Sequence, residues 1–163
     1  LCVSSYAVFI WFEDIITSMT QICAGALFFA EDTGRFLFLH RTQSKHSRVW
    51  GLAGGTAELG ETAWQACERE IAEEIGDQTI SKTIPLERFR SRDTKFEYHT
   101  YVCVVKQEFQ PRLNHEHDGY AWVGYSAWPR PLHYGVKNTM NKTSNISKIK
   151  TILNLHYRYS FHV

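Results

Sequence analysis

The 163-residue chain has little of several things that would mark a specialised class. Its formal net charge is only +1, from 18 Lys and Arg against 17 Asp and Glu. No charge excess points to nucleic acid or an anionic membrane surface as its partner. It has 4 cysteines, Cys2, Cys23, Cys67 and Cys103, without a CxxC pair or a neighbouring histidine. That spacing argues against a structural zinc site, and the density is too low for a disulfide scaffold. Buried, inert thiols in a reducing cytoplasmic compartment are the expectation. The apolar run at residues 1–12 stops at Glu13 and Asp14, short of the roughly 20 residues that span a bilayer. It also lacks the basic start and small-residue cleavage site of a secretory leader. Repeats and low-complexity tracts are missing as well.

What is there is enough for one domain, since 44 % of the residues are apolar. Residues 1–18 are expected to be an extension ahead of a natural start at Met19, residues 19–140 the domain, and residues 141–163 a tail. Residues 22–30 and 35–40 are apolar runs of strand length, joined by Glu31-Asp-Thr-Gly34, a hairpin signal. A short strand at 49–52 leads into Gly54-Gly55. Strands are expected at 85–91, at 96–106 with a centre apolar on both faces, and at 120–125. Two prolines stiffen Trp128-Pro-Arg-Pro131, and a helix is expected from Leu132 to Met140. Residues 138–147 read as a linker or frayed helix end. Ile146, Ile149, Leu153 and Tyr157 then recur at helical spacing, an amphipathic face that either pads the domain or meets a second copy in a homodimer.

The central helix is expected over 61–75. Trp64, Cys67, Ile71 and Ile75 form one apolar stripe, Thr62 with Gln65 forms a capping-box signature, and Gly76 is a stop signal. Glu70, Glu73 and Glu74 share one face at i, i+3 and i, i+4, a spacing at which like charges repel. They also lie near the C-terminal end, where the helix dipole disfavours anions. By themselves three glutamates describe a solvated acidic face. A hard divalent cation would supply the missing counter-charge, because carboxylate oxygens suit magnesium or manganese. Ala63 and Ala66 fall on the same flank and are expected to leave room for a ligand.

The run from Gly55 to Gly76 resembles the Nudix box, G-x5-E-x7-R-E-U-x-E-E-x-G-U with U a bulky apolar residue. Gly55, Glu61, Arg69, Glu70, Glu73, Glu74 and Gly76 fill its fixed positions, and Ile71 the first U. At roughly 6 % usage per residue type, seven chance matches occur on the order of once in 10^8 to 10^9 starting positions. Asp77 stands in the last U position, and Ala53 stands where a proline often precedes the glycine pair. Neither departure removes a carboxylate. The resemblance extends from about residue 20 to residue 140.

The resemblance implies an α/β/α sandwich around a mixed sheet, and a hydrolase that cleaves nucleoside diphosphates linked to another moiety by water attack at phosphorus. It implies Mg2+ or Mn2+ held by Glu70, Glu73, Glu74 and the Gly55 carbonyl, with Glu61 and Arg69 pairing to hold loop and helix in register. The general base is left open between Glu70 and Glu116, a loop glutamate in Leu113-Asn-His-Glu-His117 ahead of a Trp-bearing strand. The expected catalytic set is Glu70, Glu73 and Glu116. Arg35 and Arg41 are expected to touch substrate phosphates, whereas Lys45 and Arg48 are equally well explained as solvated loop residues. His115 and His117 read as solvated, and Trp50 and Trp122 as core. A nucleoside triphosphate, a nucleotide sugar or a dinucleotide is the expected substrate. Two alternatives stand beside it: a GDP-sugar hydrolase of the same fold, or a nucleotide-binding module without catalysis.

Overall fold

The computed structural model describes residues 20–42 and 48–160, with side chains to residue 157. The expectations about residues 1–18, Met19 and Lys45 lie outside the described residues. The strands are β1 (Gln21–Ala30), β2 (Arg35–Arg41), β3 (Val49–Gly51), β4 (Ala53–Thr56), β5 (Lys82–Arg90), β6 (Phe96–Val105) and β7 (His117–Val123). The helices are α1 (Ala63–Ile75), α2 (Tyr134–Asn141) and α3 (Thr143–Ser160). Seven strands form one mixed sheet, in which β6 lies parallel to β1 along all ten residues and every other pairing is antiparallel.

The hairpin closes at Ala30↔Arg35, with Gly34 at φ 67°. From there β1 and β2 pair only at Phe29↔Phe36 and Ala30↔Arg35 before they part. The run from Val49 to Thr56 fills the widening gap: β3 pairs β2 at residues 39–41, and β4 then crosses to pair β1 at residues 23–26. The sheet is therefore forked, and the fork opens at the end of the domain that carries Gly54 and Gly55.

Alternation in β1 builds two cores at once. Ala24, Ala26, Phe28 and Ala30 face α1 together with Leu37, Leu39, Cys67, Ile71, Ile75, Cys103 and Val105. Leu27 and Phe29 face the opposite layer with Phe36, Phe38, Leu86, Val102, Val136, Met140, Ile149 and Leu153. The small residues Ala24 and Ala26 let α1 approach its side of the sheet closely, which is the α/β/α sandwich expected of the chain. Cys67 and Cys103 are buried free thiols, and burial pushes Cys103 up to about 12 and Cys67 higher still, so neither is a ready nucleophile.

Three expectations need correction. Residues 138–147 are not a linker: α2 runs to Asn141 and α3 starts at Thr143. Asn145, 2 % exposed, donates from Nδ2 to the Thr139 carbonyl and joins the two helices. Ala66 is fully buried, so its small side chain serves close packing of helix on sheet and leaves no room for a ligand. Ala63 likewise packs against the α1-side core. Finally, β5 begins at Lys82, ahead of Pro85, and accommodates the proline next to a register shift between Pro85 and Glu87.

Residues 141–163, set apart as a tail, contribute Ile149 and Leu153 to the second core. Ile149→Ala is expected to destabilise the domain by about 2–5 kcal/mol in urea unfolding, the usual cost of truncating a buried aliphatic side chain. A loss within about 0.5 kcal/mol would show that α3 is dispensable padding.

Candidate active site

The capping box forms as the sequence indicates. Gln65 N donates to Thr62 Oγ1 at 3.2 Å, and Thr62 N donates to Gln65 Oε1 at 2.9 Å, fixing where α1 starts. Eight residues after Glu61, Arg69 turns back to it: Nε donates to Oε1 at 3.0 Å and Nη2 to Oε2 at 3.1 Å. Glu61 Oε2 also accepts from Glu58 N at 2.8 Å. The Arg69 guanidinium, followed by that backbone N–H, holds the Glu61 carboxyl below its usual range. Arg69 Nη2 further donates to the Thr56 carbonyl at 2.9 Å, so one side chain ties helix, loop and β4 together.

Two glycines let the helix and β4 meet. Gly54 has φ 149°, and a Cβ there would overlap the Ala24 carbonyl oxygen; a Cβ on Gly55 would overlap the Glu70 carboxylate. Glu70 thus lies flat against the Gly55 backbone, and Arg69 Nη1 donates to its Oε1 at 2.8 Å. That adjacent arginine supplies the charge relief that no lysine at helical spacing provides. Glu74 is 2 % exposed and its Oε2 accepts the Gly54 N–H at 2.7 Å. Burial pushes its carboxyl up to about 8, opposed by the Gly54 hydrogen bond and reinforced by Glu70 and Glu116. Glu73 points outward, 58 % exposed, with Oε2 3.7 Å from Arg69 Nη1.

The loop after β6 closes the site from the other side. Arg112 N donates to the Ile75 carbonyl at 3.0 Å and Asn114 N to the Glu74 carbonyl at 3.1 Å, capping the end of α1. Asn114 Oδ1 accepts Glu116 N at 3.0 Å. The charge of Glu116 is felt at Glu74, and Arg41 Nη2 lies 3.6 Å from Glu116 Oε2. His117 is buried at the start of β7, not solvated as the sequence suggests, and burial followed by Arg41 lowers its pKa to about 4.

The structure thus brings Gly55, Glu61, Arg69, Glu70, Glu74, Glu116 and Arg41 to one end of the fork. Arg35 is not among them. It sits at the far, hairpin end of β1 and β2, where Nη2 donates to Glu108 Oε2 at 2.7 Å, so its expected contact with substrate is not supported. Nothing in the local spacing could reveal a partner 73 residues away. Asn114 and the Gly54 N–H escaped the sequence reading; Glu74 did give a sign, since it continues the stripe Cys67, Ile71 at helical spacing. Trp50 and Trp122 are partly buried against the two cores, as expected.

Among the described residues, no three His, Cys, Asp or Glu side chains form a closed cation cage. The donors nevertheless fit a hard cation. Magnesium takes one or two carboxylates and fills its remaining positions with water and substrate phosphate. A buried Glu74 whose proton a cation would displace, beside a Glu70 pressed to bare backbone, makes an oxygen-only pocket.

A family model described as the NUDIX domain matches residues 19–142. The chain belongs to the Nudix family. This Nudix protein is 33 % identical over 107 residues to nucleoside triphosphatase NudI of Escherichia coli, an alignment covering 58 % of this chain and 72 % of that protein. NudI of Shigella flexneri is 32 % identical over the same length and shares. Among solved structures, the Nudix hydrolase RenU of M. smegmatis superposes with TM-score 0.64 at 23 % identity, covering 77 % of this chain and 84 % of that one. The NUDIX domain of Shewanella oneidensis NrtR, solved with ADP ribose, gives TM-score 0.64 at 14 % identity over 90 % of this chain and 99 % of that one. The protein is a Nudix hydrolase, an enzyme acting on phosphoric anhydride bonds, and no described helix is long and apolar enough to cross a membrane.

A carboxyl whose folded pKa lies above its ordinary value binds its proton more tightly when folded. Its stabilising contribution is complete below the ordinary value of 4.5 and is lost as pH rises through about 8. In chelator, the melting temperature of the wild type is therefore expected to fall between pH 5 and about 8. Glu74→Gln should flatten that fall, and an unchanged profile in the variant would refute the burial of an uncompensated carboxylate.

Proposed function

We propose that this Nudix hydrolase cleaves a nucleoside diphosphate linked to another moiety, with a nucleoside triphosphate as the first candidate substrate, using Mg2+ or Mn2+ and attack of water at phosphorus. The observation that carries the reading is the pair Glu70 and Glu74 set against the Gly54–Gly55 backbone, with Glu116 facing Glu74 from the opposite loop. The likeness to NudI supports the triphosphate, and the ADP ribose bound by the NrtR domain keeps other nucleotide diphosphates in view.

Glu70, Glu74 and the Gly55 carbonyl would hold the cation, with Glu73 as a further donor. Glu70 and Glu73 both lie within 3.7 Å of the same Arg69 nitrogen, so a turn of the exposed Glu73 side chain brings it to the same place. A bound divalent ion supplies charge screening on the diphosphate oxygens and a lowered pKa for water. Glu61 and Arg69 are positioning residues, because their pair fixes the register of loop and helix. Of the two candidate bases, Glu70 is hydrogen-bonded to Arg69 and wedged against Gly55. Glu116 is only loosely held and partly exposed, so its carboxylate is the better proton acceptor for the attacking water. Arg41 is assigned to the substrate phosphates.

The deciding experiment is a panel of nucleoside triphosphates, ADP-ribose and GDP-mannose with Mg2+ or Mn2+ in oxygen-18 water. Label in a phosphate product, abolished by chelator, is the expected result. Label in the sugar would establish the GDP-sugar reading, and no turnover on any substrate with either ion would leave a binding module. On the active substrate, Glu73→Gln should lower kcat by about 10²-fold or more with little loss of stability, because the side chain is exposed. Near-normal turnover would remove Glu73 from the donor set.

A further inference from the structure

Among the described residues, only two buried side-chain polar atoms lack a hydrogen-bond partner, Arg41 Nε and His117 Nε2. They belong to register partners: Arg41 at the end of β2 pairs with His117 at the start of β7, beside the register shift after His40. The protonation of the imidazole can be read from its neighbour. Asn114 Oδ1 accepts the Glu116 N–H at 3.0 Å, which identifies that atom as the amide oxygen. The same oxygen lies 3.4 Å from His117 Nδ1, so Nδ1 carries the proton and Nε2 presents a bare lone pair. Burial and Arg41 keep the ring neutral near pH 7. The guanidinium therefore lacks an acceptor at Nε, and the imidazole lacks a donor at Nε2. Each orphan is what the other needs.

The tip of Arg41 also has slack. The Arg41 stem passes Gly51, its Cδ 3.5 Å from where a Cβ on that residue would stand. Its terminal Nη2 is held only at 3.6 Å from Glu116, beyond hydrogen-bond reach. We propose that His117 is the positioning residue for Arg41: in the substrate complex its Nε2 accepts the Arg41 Nε–H, fixing the guanidinium plane and leaving both terminal nitrogens for a phosphate of the nucleotide. The inference rests on the assignment of Arg41 to the substrate phosphates. It adds why the histidine is buried and neutral in a loop-to-strand junction next to a catalytic carboxylate.

Two amides separate this role from a merely structural one. Gln at position 117 can place an oxygen where Nε2 stands, whereas Asn can place its amide near Nδ1 and keep only the link to Asn114. With a nucleoside triphosphate and Mg2+, His117→Asn is expected to raise KM about tenfold and His117→Gln by less than about threefold, with kcat moving less than KM in both. The reverse order would overturn the proposal, since it is what an imidazole serving only Asn114 would give. Arg41→Lys removes the Nε–H, so adding His117→Asn to it should raise KM no further; a full multiplicative increase would overturn the pairing. Arg41→Ala with a normal KM would instead sink the assignment of Arg41 itself. A measurement on the wild type needs no variant to fold. Nitrogen-15 spectra of the histidine rings, recorded as an α,β-methylene triphosphate analogue and Mg2+ are added, should show His117 Nε2 moving upfield as it accepts a hydrogen bond. An unmoved Nε2 resonance at saturation would overturn the proposal.

Discussion

The site depends on how closely helix α1 lies on the backbone of β4. Two residues without side chains permit it, and the contact they permit is polar: a helix carboxylate on a strand N–H at one point, and a second carboxylate against bare main chain at the next. A bulkier pair would lift the helix by the thickness of a methyl group. Glu74 would lose its donor, and the apolar stripe below it would lose its seat among Ala24, Ala26 and Ala53. Packing and chemistry are thus set by one distance. A carboxylate that is buried for packing reasons becomes one whose charge needs an outside partner.

Arg69 is the counterweight. It is shared among Glu61, Glu70 and the Thr56 carbonyl, so it balances acidic groups while stitching the loop 57–61 to the helix. Because an arginine presents several donors in a fixed plane, one residue can do this where a lysine could not. The charge pattern on α1 is therefore not a solvated face. Glu73 is solvated, Glu70 is bridged and Glu74 is interior, three environments for three neighbouring carboxyls on the same helix.

Much of this was legible from the chain alone because the determinants are local. Thr62 and Gln65 define the helix start through their own side chains, and the fixed letters from Gly55 to Gly76 specify the turn, the pair and the carboxylates. The apolar run of residues 22–30 gave a strand, and the apolar stripe gave the face of α1. What stayed hidden depends on partners distant in sequence. Arg35 looked like a substrate residue until Glu108 met it at the hairpin end. Ala66 looked like open space because spacing gives an angle around the helix but does not say where the sheet lies. The fork between β1 and β2 is a tertiary feature, made by β3 and β4 wedging in, and no period in the sequence encodes it. The burial of His117 likewise comes from the way the loop folds over the end of α1.

That loop holds the helix through main-chain atoms: the N–H groups of Arg112 and Asn114 meet the carbonyls of Ile75 and Glu74. A grip of this kind is indifferent to most side-chain replacements, so the side chains of Gln110 and Arg112 are at liberty to drift while the main chain at Arg112 and Asn114 stays anchored. Such latitude gives the scaffold evolvability, because new ligand preferences can arise along a tether whose hold on the helix does not consult its own sequence.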